Sequence, residues 1–238
     1  MQYYSQYGQD SFIVKNLFKH KRNGFSLDVG AYDGINMSNT FVLEKELGWK
    51  GICIEPNPVV YEQLKNNRSC TILNCCISDK VSNVQFMAVS GWGIMLSGIL
   101  DFFDKGHIQR IDRTIEEHGG SKELIEIPSL PLQNILNEYN INEVDYCSID
   151  VEGGELKVLD SIDFAKINTK ILSIENNYGT EHIRNYLKPF RYSLLTKIGA
   201  DEIYEKNSRN LLLILRFKMK MMKKDLSQFI KFLSNKKQ

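Results

Sequence analysis

Hydrophobic and polar positions change period along this chain in a regular way. Residues 10 to 19 carry apolar positions at helical spacing, and the apolar run 25 to 29 behind them has the character of a buried strand. A helical stretch of about 37 to 47, which Gly48 would close from the C′ position, leads to a second apolar run at 52 to 55. A helix from about 58 to 67 then leads to a third, at 70 to 77. Short apolar strands alternating with helices are βα units, and a series of them implies a parallel sheet with right-handed crossovers.

The rhythm breaks after residue 80. Residues 83 to 89 alternate like one strand of a hairpin, and Gly91-Trp92-Gly93-Ile94-Met95-Leu96-Ser97-Gly98 is too rich in glycine for a regular element. The segment of about 83 to 123 therefore reads as an insert, with a glycine-hinged loop whose Trp92 and Met95 could close over an active site. Regular order resumes at 124 to 127, followed by a helix at about 131 to 138 and a fourth strand at 144 to 149. A helix beginning near Gly154, a fifth strand at 170 to 174 and a helix near 181 to 187 come next, and 190 to 206 reads as a closing antiparallel pair.

With 238 residues, 42% of them hydrophobic and 25% charged, the chain suffices for one α/β domain with a full core. The net charge of +1 recommends no nucleic-acid partner. That average hides an asymmetry, because residues 207 to 238 carry nine Lys or Arg against Asp225, a local +8 that leaves about −7 for residues 1 to 206. In this tail Leu215, Met219, Met222, Leu226, Phe229 and Leu233 recur at steps of four and three, which predicts a basic amphipathic C-terminal helix. Its expected contacts, through 211 to 233, are a sister subunit, a glycosyltransferase or a membrane surface. Five cysteines, an odd number with no C-x-x-C spacing, read as thiols in a reducing compartment. With no apolar leader and no run of eighteen apolar residues, the expected location is the cytoplasm.

The chemistry concentrates at strand ends. Phe25-Ser26-Leu27-Asp28-Val29-Gly30-Ala31-Tyr32-Asp33-Gly34 ends a strand in an acid and a glycine turn, and Gly51-Ile52-Cys53-Ile54-Glu55-Pro56-Asn57-Pro58 ends the next in Glu55. A turn without Cβ atoms can pass close to a ligand, and a carboxylate after the second strand can accept both hydroxyl hydrogens of a ribose. An acid before Gly30 and Gly34, in place of G-x-G-x-x-G, favours S-adenosylmethionine over a nicotinamide cofactor. Two further blocks, Gln6-Tyr7-Gly8-Gln9-Asp10 and Ser148-Ile149-Asp150-Val151-Glu152-Gly153-Gly154-Glu155, complete the set. In that order the four blocks, over roughly 4 to 206, resemble the FkbM family of S-adenosylmethionine-dependent O-methyltransferases. The resemblance implies a Rossmann-like class I methyltransferase fold: a mostly parallel seven-stranded sheet, helices on both faces and a terminal antiparallel strand pair. It also implies an acceptor hydroxyl, often on a sugar or natural product.

On this resemblance Asp28 and Gly30 border the methionine and ribose portions of the cofactor, and Glu55 holds the ribose hydroxyls. Asp33 and Ser38 sit where a turn and a helix N-terminus meet the amino-acid end. Gln9 and Asp10 reach back over the cofactor, and Cys76, Ser78 and Asp79 follow the third strand toward the adenine. Asp150 after strand four with Glu175-Asn176 after strand five resembles the metal site of catechol O-methyltransferase-like enzymes, and such oxygen donors suit Mg²⁺, Mn²⁺ or Ca²⁺. Gly153 stands where those enzymes place a lysine base, which leaves Glu152 and His107, in the insert beside Arg110, as candidate bases beside Asp150. The expected activity is methyl transfer to a sugar hydroxyl in glycan, capsule or glycosylated-metabolite synthesis, with a nucleotide-activated sugar as one form of acceptor. The alternatives are methylation of a phosphate-like or small-molecule oxygen, and a non-catalytic cofactor-binding module that docks a glycosyltransferase.

Overall fold

The structure is a computed structural model that describes residues 1–207; the amphipathic helix expected beyond them lies outside the described residues. In chain order the elements are α1 (Gln9–Phe12), which runs into a π-helical turn at Ile13–Leu17, β1 (Phe25–Val29), α2 (Phe41–Leu47), β2 (Lys50–Ile54), α3 (Pro58–Asn67), β3 (Thr71–Leu73) and β4 (Cys76–Ile77). Then follow β5 (Ser82–Val89), β6 (Gly98–Ile99), α4 (Lys105–His118), β7 (Lys122–Leu130), α5 (Leu132–Glu138) and β8 (Glu143–Ile149). α6 (Glu155–Asp160), β9 (Asn168–Glu175), α7 (His182–Leu187), β10 (Tyr192–Ile198) and β11 (Asp201–Lys206) complete the series.

The main sheet has seven strands in the order β10-β11-β9-β8-β1-β2-β3. β3, β2, β1, β8 and β9 run parallel, and the hairpin of β10 and β11 closes the edge antiparallel against β9. Both faces of the parallel strands are covered, so they read as continuous apolar runs rather than alternating ones. Leu27, Val29, Ile52 and Ile54 pack into one core, and Tyr146, Ile171 and Ile203 join Ile13, Val42 and Leu43 in another. Local chemistry sets the boundaries. Gly48 ends α2 in the left-handed region at φ 67°, and Asn57 begins α3 by accepting from Val59 N, with Pro58 in the first turn.

Two expectations change. The single third strand expected over 70 to 77 is two strands, because the Asn74 side chain donates to the carbonyls of Glu55 and Pro56 and turns the chain between β3 and β4. β4 then belongs to a second, four-stranded sheet of order β4-β7-β5-β6. The insert is likewise more regular than its glycines suggest. Gly91–Leu96 is a 3-10 helix, and α4 is a 14-residue helix whose N-cap, Asp104, accepts from His107 N. Ile111 of α4 is fully buried with Met87, Val89 and Leu96. Among the described residues no helix is long and apolar enough to cross a membrane.

Candidate active site

Strand order reverses beside β1, between β2 and β8, and an open α/β sheet presents its crevice at such a point. β1 ends there in Gly30, whose φ is +84° and whose N–H, with that of Ala31, donates to Ile54 O at 3.0 Å. A Cβ on Gly30 would lie 1.7 Å from the Asp150 carbonyl oxygen, so the turn and the end of β8 approach as only glycine allows. Asp28 lies buried beneath. Its carboxylate accepts from Thr40 Oγ1 at 2.5 Å and stands 4.0 Å from Arg68 Nη1. Arg68, with 1% of its side chain exposed, also bonds Glu44 and Gly34 O. Burial raises the Asp28 carboxyl above its ordinary value, and Arg68 opposes the shift.

Glu55 is held by both oxygens, Oε1 accepting from Asn57 N at 2.8 Å and Oε2 from Tyr32 N at 3.0 Å. Burial pushes its carboxyl up to about 7 despite these two bonds. One cavity runs from Glu55 across the ends of the parallel strands to Asp201, with Gln9, Asp28, Gly30, Ser38, Cys76, Asp150, Glu152 and Glu175 on its wall. Ser38 also caps α2, accepting from Thr40 N and Phe41 N. Gln9 donates to Asp201 Oδ2 at 3.0 Å.

Four residues expected to meet the cofactor do not line this cavity and make bonds within the protein. Asp10 accepts from Tyr4 N, Ser5 N and Ser5 Oγ and ties down the N-terminal segment. Asp33 accepts from Ile35 N and Asn36 N and closes the glycine turn from outside the cavity wall. Ser78 pairs with Ser129 at 2.6 Å, and Asp79 forms a surface ion pair with Lys157 at 3.2 Å. Asp201, which the sequence reading did not single out, enters the cavity because β11 runs antiparallel and sets its first residue opposite Glu175.

Beyond Gly30 the strand ends gather three carboxylates. Asp150, Glu152 and Glu175 each offer an oxygen within 4.8 Å of the others. Asp150 N donates to Val29 O, which fixes it beside β1, and Glu152 takes a left-handed φ of 56° in the turn before α6. Asp150 is open to the cavity yet crowded by protein, and desolvation, reinforced by Glu175, raises its carboxyl well above the ordinary value. Desolvation likewise pushes Glu152 and Glu175 up to about 8, with Asp150 adding to the first and Glu152 to the second. The Asn176 amide bonds Thr180 N and Thr180 O in the loop after β9, and Asn176 does not line this cavity. Glu152 occupies the third position instead.

His107 is buried rather than exposed, stacked on Phe103 with ring centroids 4.1 Å apart. Its Nε2 lies 2.9 Å from the Leu96 carbonyl, which can only accept, so the neutral ring carries its proton there and Nδ1 faces Glu152 Oε2 at 3.7 Å. Burial lowers its value below the usual one. Glu152 Oε2 is itself buried without a hydrogen bond, with Arg110 Nη1 at 3.8 Å.

The open, mostly parallel sheet of this order, with its cavity across the reversal, is the fold expected of a class I methyltransferase. Residues 28–194 match the methyltransferase FkbM domain, and the chain belongs to that family, whose methyl donor is S-adenosylmethionine. Similar solved structures include a methyltransferase FkbM from Methylobacillus flagellatus KT, at 16% identity and a TM-score of 0.47 over 78% of this chain and 44% of that one. This chain thus spans less than half the length of that protein. A precorrin-6y C5,15-methyltransferase from Geobacter metallireducens GS-15 is 11% identical with a TM-score of 0.40, covering 78% of this chain and 82% of that one. A methyltransferase from Pyrococcus furiosus is 15% identical with a TM-score of 0.39, covering 82% and 80%. No curated protein matches the chain.

Proposed function

We propose that this methyltransferase acts on oxygen, transferring the methyl group to a sugar hydroxyl in the synthesis of a glycan, capsule or glycosylated metabolite. The observation that carries the reading is the carboxylate cluster of Asp150, Glu152 and Glu175, set in the same cavity as Glu55 and the Gly30 turn. A hydroxyl must lose its proton as it attacks the methyl group, so an acceptor oxygen needs a base at hand. Glu152 is the base in this reading. Its Oε2 has no hydrogen bond to give up, and Glu152 brings an oxygen within 4.8 Å of the Asp150 and Glu175 oxygens in the same cavity. Glu55 holds the ribose, and the Gly30 turn admits the sulfonium end toward β8. His107 and Arg110 position Glu152 from the insert, standing 3.7 and 3.8 Å from its Oε2.

The cluster also fits a divalent cation. Its donors are all oxygen, and three carboxylates that raise one another's protonation are the arrangement that a hard cation stabilises. Asp150 and Glu175 would hold Mg²⁺ or Mn²⁺, which when bound supplies a Lewis acid that makes a hydroxyl more acidic. Turnover with S-adenosylmethionine and a panel of sugars, with Mg²⁺ and after exhaustive chelation, tests the reading. Chelation and Asp150→Asn are expected to abolish turnover and leave S-adenosylhomocysteine affinity unchanged. Full activity in protein shown to be metal-free by elemental analysis would refute the metal, and full activity of Glu152→Gln would refute the base.

A further inference from the structure

The charge of the acceptor can be read from the cavity that receives it, on the reading just proposed. Six carboxyl side chains line that cavity, Asp28, Glu55, Asp150, Glu152, Glu175 and Asp201, and among the described residues Arg110 is the one Lys or Arg on its wall. Arg110 already stands beside Glu152, with 57% of its side chain in solvent. Phosphate and diphosphate groups are recognised by guanidinium forks, lysines or converging backbone N–H groups at a helix N-terminus. Apart from Arg110, whose guanidinium faces Glu152, the charged side chains of this wall are carboxyl groups, which carry no positive charge whether ionised or protonated. A metal and the cofactor's sulfonium bring positive charge, but both face groups that the reaction itself uses.

The mouth of the cavity has a different character. Tyr7, Met37 and Met95 line it while remaining 57%, 38% and 41% exposed, and Ile94 lies beside them. Exposed apolar side chains that line a cavity gain by being covered. Aromatic and thioether groups suit the apolar face of a sugar ring or an attached hydrocarbon. We infer that the acceptor is an uncharged glycoside bearing an apolar group, and that phosphorylated and nucleotide-activated sugars are not its substrates.

Saturation-transfer NMR on the full chain, loaded with S-adenosylhomocysteine and Mg²⁺, tests this with four probes. These are phenyl β-D-glucopyranoside, phenyl β-D-galactopyranoside, glucose 1-phosphate and uridine diphosphate glucose. The phenyl glycosides are expected to receive saturation and the two anions none. Met95→Lys, at the exposed mouth, is expected to weaken phenyl glycoside binding at least fivefold without changing S-adenosylhomocysteine affinity, which also reports that the variant is folded. Tighter binding of either anion, or no binding of either class, would overturn the inference. Calorimetry with S-adenosylhomocysteine on the same sample separates the two levels: absence of that heat counts against the methyltransferase site, whereas normal heat with preferred anions counts only against the uncharged acceptor.

Discussion

Replacing Gly30 by alanine isolates the closest backbone approach in the site. Two costs arise. The first is the positive φ of +84°, which an L-residue adopts at about 1 to 2 kcal/mol. The second is steric, since the new Cβ would sit 1.7 Å from the Asp150 carbonyl oxygen, a backbone atom that cannot rotate away. Forced overpacking of this kind costs about 1 to 3 kcal/mol, so Gly30→Ala is expected to lose about 2 to 5 kcal/mol in all. Gly8 provides the control. Its φ is +88°, yet nothing lies within 4 Å of the Cβ it would gain, so Gly8→Ala carries the strain without the clash. Urea unfolding of both variants should therefore differ by about 1 to 3 kcal/mol. The relief available to Gly30→Ala is to part the turn from β8, and calorimetry should show S-adenosylhomocysteine binding at least tenfold weaker in that variant. Equal losses of stability, with unchanged cofactor affinity at Gly30→Ala, would refute the close approach and the role of the turn.

Glu55 predicts a pH profile. Folding raises this acid from 4.5 to about 7, so the carboxylate proposed to accept ribose hydroxyls is present above pH 7 and lost below it. S-adenosylhomocysteine affinity should fall toward tenfold per pH unit below 7 and level above, while Glu55→Gln binds more weakly and without that step; an identical profile in the variant would remove Glu55 from the ribose. The same shift acts on stability in the opposite sense, its contribution being complete below pH 4.5 and lost as pH rises through 7, which urea midpoints on wild type and Glu55→Gln can check. Arg68→Met should cost about 3 to 5 kcal/mol, because it strands Glu44 and Asp28 without their buried partner; a loss under 1 kcal/mol would contradict that pairing. Deleting 208–238 should leave cofactor binding intact and alter oligomeric state or vesicle association, if that basic segment is the docking helix we propose; light scattering and sedimentation identical to the full chain would exclude this.

The strands that the sequence makes plain are those buried on both faces, where 25 to 29, 144 to 149 and 170 to 174 are apolar runs between turn residues. The break inside 70 to 77 is hidden for the same reason. Its residues are apolar but for Thr71 and Asn74, and the turn comes from a long-range bond of Asn74 to Glu55 O and Pro56 O that no local pattern records. α4 leaves a trace, since Ile108, Ile111 and Ile115 follow the capping Asp104 at helical spacing, although the glycines of 91 to 98 before it suggest a loop. The acid-amide pair shows why adjacency misleads. β9 ends at Glu175 and Asn176 turns into the following loop to bond Thr180, so the two do not both face the cavity, whereas the left-handed turn after β8 sets both Asp150 and Glu152 on its wall. Asp201 was invisible for a topological reason: only the pairing of β11 with β9 brings it beside Glu175.

The hydrogen bond from Gln9 to Asp201 spans 192 positions of the chain, and both partners line the cavity. A chain emerging from the ribosome folds from its N-terminus, so Gln9 is made first and waits for the closing hairpin before this wall exists. Loop closure over such a span is slow, so a methyl donor bound in this cavity, as proposed above, would bind late, once β11 has joined the sheet. Once bound, the donor contributes RT ln(1 + [L]/Kd) to the stability of every part at once, about 2.7 kcal/mol at a hundredfold excess over Kd. Cellular supply of the methyl donor would then set how long this protein survives as well as how fast it works.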